Sequence, residues 1–282
     1  MATIGVIGDV NEAMASARFR ILIPSRHSKH TYRQGIGDIT LLFKFGVDPG
    51  KAKEMRSSTP LVFDITDDHF GKERDYYFRS LCDIAHYITC TTETLRERIL
   101  EETGRDALVI SDPLEFPQRP PKIGSEKLLW YGHHSNLEPV LGLEIPGRRL
   151  KIITNAKGYI PWSLLAMQEG LDWCDAVILP IGGIGPRKDT KSPNRMTEAI
   201  NAGRFVIAND MPAYRGYGMY LGDIFEGLNW LDTHQEQAME SLCKAQKLVW
   251  EKHNPQTITQ EWDALFDSIL GVVENCGTAL ST

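Results

Sequence analysis

The sequence predicts an α/β protein: two Rossmann-like parallel-sheet domains facing each other across a cleft, with a compact N-terminal domain. Three observations predict it. Short runs rich in β-branched residues alternate with helix-like stretches almost throughout. A proline-rich break falls near the middle of the chain, and 282 residues is a natural size for two domains of ordinary dimensions.

Taken in order, "TIGVIGD", "DITLLFKF", "PLVFDIT", "HYITCT" and "ALVISD" read as strands of a first domain, residues 1–112. Between them, "TTETLRERILEETG" reads as a helix, with Thr91 or Thr92 as N-cap and Gly104 as its stop. "SDPLEFPQRPPKIGSEK" holds four prolines and neither period, so residues 113–126 read as a linker. The second domain, 127–282, repeats the pattern with "KLLWYGH", "RLKIITN", "DAVILPI", "RFVIAND" and a shorter candidate strand at "GLNWLD". Two helical patterns close it, at 233–252 and 257–275. Trp250, Trp262, Leu265, Phe266 and Ile269 form an apolar stripe there that can pack back across a domain. Strands separated by helices mean βαβ units and parallel sheets.

Composition removes several function classes. Net charge is −6 and the pI about 5.8, so no global basic field draws the chain to nucleic acid or anionic lipid. "RPPK" and "PGRRLK" leave a local basic patch open. No apolar run reaches transmembrane length, and "MATIGVIGDV" lacks the basic and apolar regions of a secretory signal. Five cysteines, widely spaced and without CxxC, favour reduced thiols and a cytoplasmic location. P-loop, G-x-G-x-x-G, G-x-S-x-G and HExxH patterns are all missing, and no cofactor or metal is expected.

The densest chemistry lies at 191–210, "KSPNRMTEAINAGRFVIAND", after the strand "CDAVILP" and the glycine-rich loop "IGGIGPRKDTK". A helix starting near Ser192 or Pro193 puts Met196, Ala199, Ile200 and Gly203 on one packed face. Arg195 and Glu198 then share another face, with Asn194 within a turn of both. A strand end, a loop and a helix N-terminus make an anion site, to which Lys191 and Arg195 add charge. Glu198 can accept hydrogen bonds from sugar hydroxyls. For an isolated helix the plainer reading is a solvated Arg–Glu pair; the flanking loop and strand favour a site.

The order strand, loop, K-x-x-N-R-x-x-E-A-x-x-A-G-x-x-V-I-A resembles the donor-binding segment of GT-B glycosyltransferases of the group 1, family 4-like kind. The resemblance runs from "LLWYGH" to about Tyr220 and is fainter in the first half, at "SARFR" and "DITDDHF". It implies a nucleotide-sugar donor, UDP- or GDP-linked, with Lys191 and Arg195 neutralising phosphate and Glu198 holding the ribose. Many members carry a second glutamate eight residues earlier; here that position is Thr190.

Three further segments are candidates. In "WYGHHSN", Gly132 allows close backbone approach and His133 or His134 can reach a ligand at a strand's carboxyl end. In "FDITDDHF", Asp64, Asp67, Asp68 and His69 can supply a general base or coordinate Mg²⁺. The resemblance weighs against a metal, and Asp68 and His69 are the acceptor-side catalytic candidates; Asx-turn and capping chemistry is the alternative. In "ASARFRILIP", Arg18 and Arg20 point to nearly opposite sides of a helix, and Arg18 is the candidate for a phosphate or acceptor contact.

The expected activity is transfer of a hexosyl or pentosyl group from a nucleotide-diphosphate donor to a hydroxyl acceptor: a glycan, a small molecule or a hydroxymethylated DNA base, as in phage enzymes. The acidic charge disfavours DNA. The resemblance implies retention of configuration, whereas a base at Asp68 or His69 suits inversion. A nucleotide-sugar epimerase and a non-catalytic nucleotide-sugar-binding homologue are the alternatives, the latter kept open by Thr190.

Overall fold

The structure, a computed structural model, describes residues 1–182 and 189–279. The chain divides into two compact units. The first holds Met1–Pro113, Thr190–Ser192 and the segment from Pro255 on; the second holds Leu114–Asp189 and Pro193–Asn254.

The first unit is built on a parallel sheet of order β2-β1-β3-β4-β5-β6. Its strands are β1 Thr3–Ile7, β2 Thr31–Gln34, β3 Ile39–Phe43, β4 Leu61–Ile65, β5 Tyr87–Cys90 and β6 Leu108–Val109. β3 and β4 are buried along their whole length, as apolar strands covered on both faces must be. The Thr92 hydroxyl accepts from the Leu95 N–H at 3.2 Å, capping the helix Glu93–Thr103, and Gly104 stops that helix at φ 68°.

One apolar core of this unit joins Ile4, Val6, Ile39 and Leu41 to Ile258, Trp262, Phe266 and Ile269. The final helix, Pro255–Ala279, therefore completes the first unit, against the sequence expectation that it closes the second domain. Its stripe of Trp262, Leu265, Phe266 and Ile269 is buried, but Trp250, read as part of that stripe, is 42% exposed on the preceding helix.

The second unit carries a parallel sheet of order β12-β11-β10-β7-β8-β9. Its strands are β7 Lys127–Tyr131, β8 Arg149–Thr154, β9 Ile160–Pro161, β10 Ala176–Leu179, β11 Phe205–Ala208 and β12 Tyr220–Leu221. Counted from its own first strand, this is the dinucleotide-fold order, with its switch point between β7 and β10. "GLNWLD" is helical, within Ile224–Thr233: Asp223 Oδ1 accepts the N–H groups of Phe225 and Glu226 at 2.8 and 3.0 Å and starts the helix there.

Residues 113–126 do not run free as a linker. Leu114 N–H bonds His253 O at 2.7 Å, Arg119 N–H bonds Asn201 O at 3.1 Å, and Lys122 N–H bonds Gly203 O at 2.9 Å. Prolines remove donors from this stretch, yet Leu114, Glu115, Arg119 and Lys122 pair along the second unit. Gly203 itself follows its helix at φ 69°, and a Cβ there would lie 2.3 Å from Pro120 O. The sequence placed Gly203 on the helical face; it is the stop instead.

Candidate functional site

In the second unit the site grows from the two strands at the switch point. β7 ends at Tyr131, and Gly132 follows. A Cβ at Gly132 would sit 3.3 Å from Arg195 Nη1 and 3.3 Å from the Trp130 ring. A side chain at this position would crowd both groups. Arg195 comes from the helix Asn194–Asn201, whose inner face of Met196, Ala199 and Ile200 is fully buried. The Tyr131 hydroxyl donates to Arg195 O, tying the helix to β7. Burial pushes that phenol far above its ordinary pKa, so it remains a donor.

Pro193 occupies the N-cap position of this helix and has no side chain that can cap it. Arg195 Nη1 is buried and has no hydrogen-bond partner among the described residues. A buried guanidinium donor without an acceptor is costly unless a ligand supplies one. Asn194 stands half-buried beside it. Glu198 is 5% exposed, and its Oε1 accepts the Glu115 N–H at 2.5 Å. His133 is exposed, and its Nδ1 lies 3.3 Å from Ser135 N and 2.9 Å from Ser135 Oγ. Gly132, Asn194 and Arg195 are thus brought to one strand end, while His133 turns to a local cap. The loop "IGGIGPRKDTK" lies mostly outside the described residues, and Lys191 groups with the first unit.

In the first unit the carboxyl ends of β3 and β4 carry the acceptor-side candidates. Asp64 is committed to Arg20 and to the Thr89 hydroxyl, which donates at 2.8 Å. Asp68 is 4% exposed; its Oδ1 accepts the Phe70 N–H at 2.9 Å and its Oδ2 lies 3.7 Å from Arg98 Nε. That is capping geometry. His69 is half-buried, stacked on Phe78 with centroids 4.5 Å apart and set edgewise to Phe45 at 5.3 Å. Neither of its ring nitrogens has a hydrogen-bond partner among the described residues. Burial holds its pKa below the usual 6.5; Asp67 opposes this, while Lys72, Lys44 and Arg74 add to it. A neutral imidazole with open nitrogens is fit to accept a proton.

Arg18 and Arg20 are both buried, at 5% and 0%, in a helical run whose middle, Arg18–Leu22, is π-wound. Arg20 is structural. Arg18 donates to Glu12 O at 2.7 Å.

The local basic patch does not form as the sequence allowed. Arg119 pairs with Asp172, Lys122 with Asp175 and Arg148 with Asp232, each carboxylate coming from a distant part of the chain. Arg149 and Lys151 flank Trp173 instead, 6.0 and 4.1 Å from its ring centroid.

Sequence reasoning missed Lys44, Phe45, Arg74 and Tyr77. The Arg74 guanidinium lies 3.8 Å from the Phe45 centroid, and the Tyr77 hydroxyl donates to Lys44 O at 3.0 Å. The run Lys44–Phe45–Gly46 after a strand was the available signal.

No family model matches the chain, and no curated protein matches it. Solved structures do. Anabaena HepE, crystallised with UDP and glucose, superposes with a TM-score of 0.64 at 11% identity, over 95% of this chain and 100% of that one. T4 phage β-glucosyltransferase superposes with a TM-score of 0.56 at 10% identity, over 95% and 99%. A mutant of S. aureus TarM, with fondaparinux, α-GlcNAc-glycerol and UDP, superposes with a TM-score of 0.58 at 17% identity. That match covers 81% of this chain and 56% of TarM. The fold of the present chain is GT-B.

Proposed function

We propose that this GT-B protein is a glycosyltransferase that moves a sugar from a nucleotide-diphosphate donor, UDP-linked by the ligands of its structural neighbours, to a hydroxyl acceptor. The observation that carries the reading is Arg195. Its buried Nη1 has no acceptor among the described residues, at a helix N-terminus whose N-cap is Pro193, beside the switch point of the second sheet.

Arg195 and the helix N-terminus take the diphosphate, and Gly132 keeps the approach to Arg195 open. Asn194 and His133 are further donor contacts, and Glu198, one turn on, is assigned the ribose hydroxyls. As the anomeric carbon–oxygen bond breaks, negative charge grows on the departing diphosphate, and fixed positive charge stabilises it without a metal. On the acceptor side His69 takes the hydroxyl proton, Asp68 holds the loop that carries it, and Arg18 is the remaining acceptor or phosphate contact. Neither epimerisation nor binding without turnover is favoured by a specific feature.

Calorimetric titration of the wild-type protein with UDP, GDP, ADP and CMP tests the donor site. Saturable binding of UDP is expected, weakened about tenfold or more in Arg195→Ala, the loss of one charge-assisted contact. Equal affinity in the variant would overturn the assignment.

A further inference from the structure

The first unit holds a cluster that proton abstraction does not use up. Lys44 follows β3 with φ 49°, the left-handed region that an ordinary side chain seldom enters, and it is the sole non-glycine residue there among the described ones. Its Nζ lies 3.6 Å from Asp67 Oδ2, and its side chain keeps 20% exposure. Lys72 donates to Asp68 O at 2.6 Å. Arg74 is exposed on the face of Phe45, with no carboxylate in ion-pair range among the described residues. Asp67 is the acidic side chain that bears most on His69, against these three cations.

The rings fix where this charge is aimed. Phe78 backs the imidazole, Phe45 meets it edgewise, and Phe45 also carries the Arg74 guanidinium. Tyr77 pins the strained Lys44 carbonyl. Imidazole and guanidinium are thereby held on one aromatic frame at the ends of β3 and β4, both with open donors. Backbone held in such a sparsely populated region persists only where the surroundings fix it, here the Tyr77 hydroxyl.

We propose that this cluster is an oxyanion subsite: the acceptor carries a phosphate or carboxylate, held by Arg74 and Lys44, close to the hydroxyl that His69 deprotonates. Arg74 supplies the planar fork that such groups match, and Lys44 a point charge. The inference rests on the glycosyl-transfer reading for the word acceptor, but the subsite itself can be tested without donor or turnover.

The test follows the histidine ring signals of the full chain by NMR, with His69 assigned through His69→Gln. Inorganic phosphate, dimethyl phosphate and acetate are titrated separately at constant pH and ionic strength. Saturable movement of the His69 signals is expected, with affinity about fivefold weaker in Arg74→Gln, the scale of one exposed charge pair. Lys44→Asn, which tolerates the left-handed backbone, is expected to weaken it similarly. Unmoved signals of buried His30 show that the variants are folded. Response to either phosphate probe identifies a phosphate-bearing acceptor, and response to acetate alone a carboxylate-bearing one; both uphold the subsite. No saturable movement with any probe, or equal movement in Arg74→Gln, overturns it. Failure of UDP to bind at Arg195 would sink the transfer reading and leave this result standing.

Discussion

Arg20 and Asp64, both without solvent exposure, hold each other through two hydrogen bonds, Nε to Oδ2 at 3.0 Å and Nη2 to Oδ1 at 2.7 Å. Asp112 Oδ1 lies 3.3 Å from the same guanidinium, whose carbon sits 4.9 Å from the centroid of the Trp262 ring. A buried pair of this kind is weak evidence of net stability, because desolvation offsets most of the attraction. Removing one partner is another matter.

Arg20→Met leaves Asp64 charged and buried, and is expected to cost about 3–5 kcal/mol. Urea unfolding followed by tryptophan fluorescence reads this, since Trp262 is in contact. Combining it with Asp64→Asn is expected to cost at least ~1 kcal/mol less than the sum of the single changes.

His69 sets a pH dependence of known sign. Its folded pKa lies below the unfolded value of 6.5, so between the two the unfolded chain takes up a proton that the folded chain refuses. Its contribution to stability is complete above 6.5 and is lost as pH falls through the folded pKa. Urea midpoints at about pH 7.5 and about pH 5 are expected to differ less in His69→Gln than in the wild type. Acceptor-side activity is expected to lose its acidic limb in the same variant.

Gly132→Ala brings a methyl group to 3.3 Å from Arg195 Nη1, a flexible end that yields, and from the Trp130 ring, which does not. Nucleotide affinity is expected to fall by about 1 kcal/mol, roughly fivefold, with little change in unfolding midpoint. Calorimetry and thermal melting separate the two effects.

Glu198 has a structural duty as well as its assigned ribose contact. Glu198→Ala frees the Glu115 N–H and is expected to cost about 1–3 kcal/mol of stability. Glu198→Gln keeps an acceptor oxygen there and is expected to hold stability while weakening nucleotide binding. A Gln variant as unstable as the Ala variant would show that the charge, not the oxygen, braces the segment.

Local signals were readable and destinations were not. Thr92 and Gly104 bound their helix as cap and stop chemistry requires, and the apolar strands of both sheets stand out by their β-branched runs. The edge strands β2, β9 and β12 were missed: TYRQ, IP and YL have no buried residue and carry no apolar run of strand length, unlike the ALVISD that announced β6. "GLNWLD" is short and apolar, and a run of that length does not tell helix from strand; Asp223 decides it. The stripe of Trp262 and Phe266 announced a packed face, but periodicity names no partner, so the helix was given to the wrong unit. The site divides the same way. Arg195 at a helix start is a sequence pattern, whereas Arg74 lying on Phe45 joins segments 29 positions apart and leaves no trace in either.

The return of the final helix to the first unit has a consequence for the order of events on the ribosome. Strands β1 to β6 emerge first, yet the face formed by Ile4, Val6 and Ile39 waits for Ile258, Trp262 and Phe266, more than two hundred positions later. Meanwhile the second unit has all its strands and helices by Asn254 and can close on its own. The half that is begun first is finished last. During that interval its apolar sheet face is the surface a chaperone, or another nascent chain, would meet.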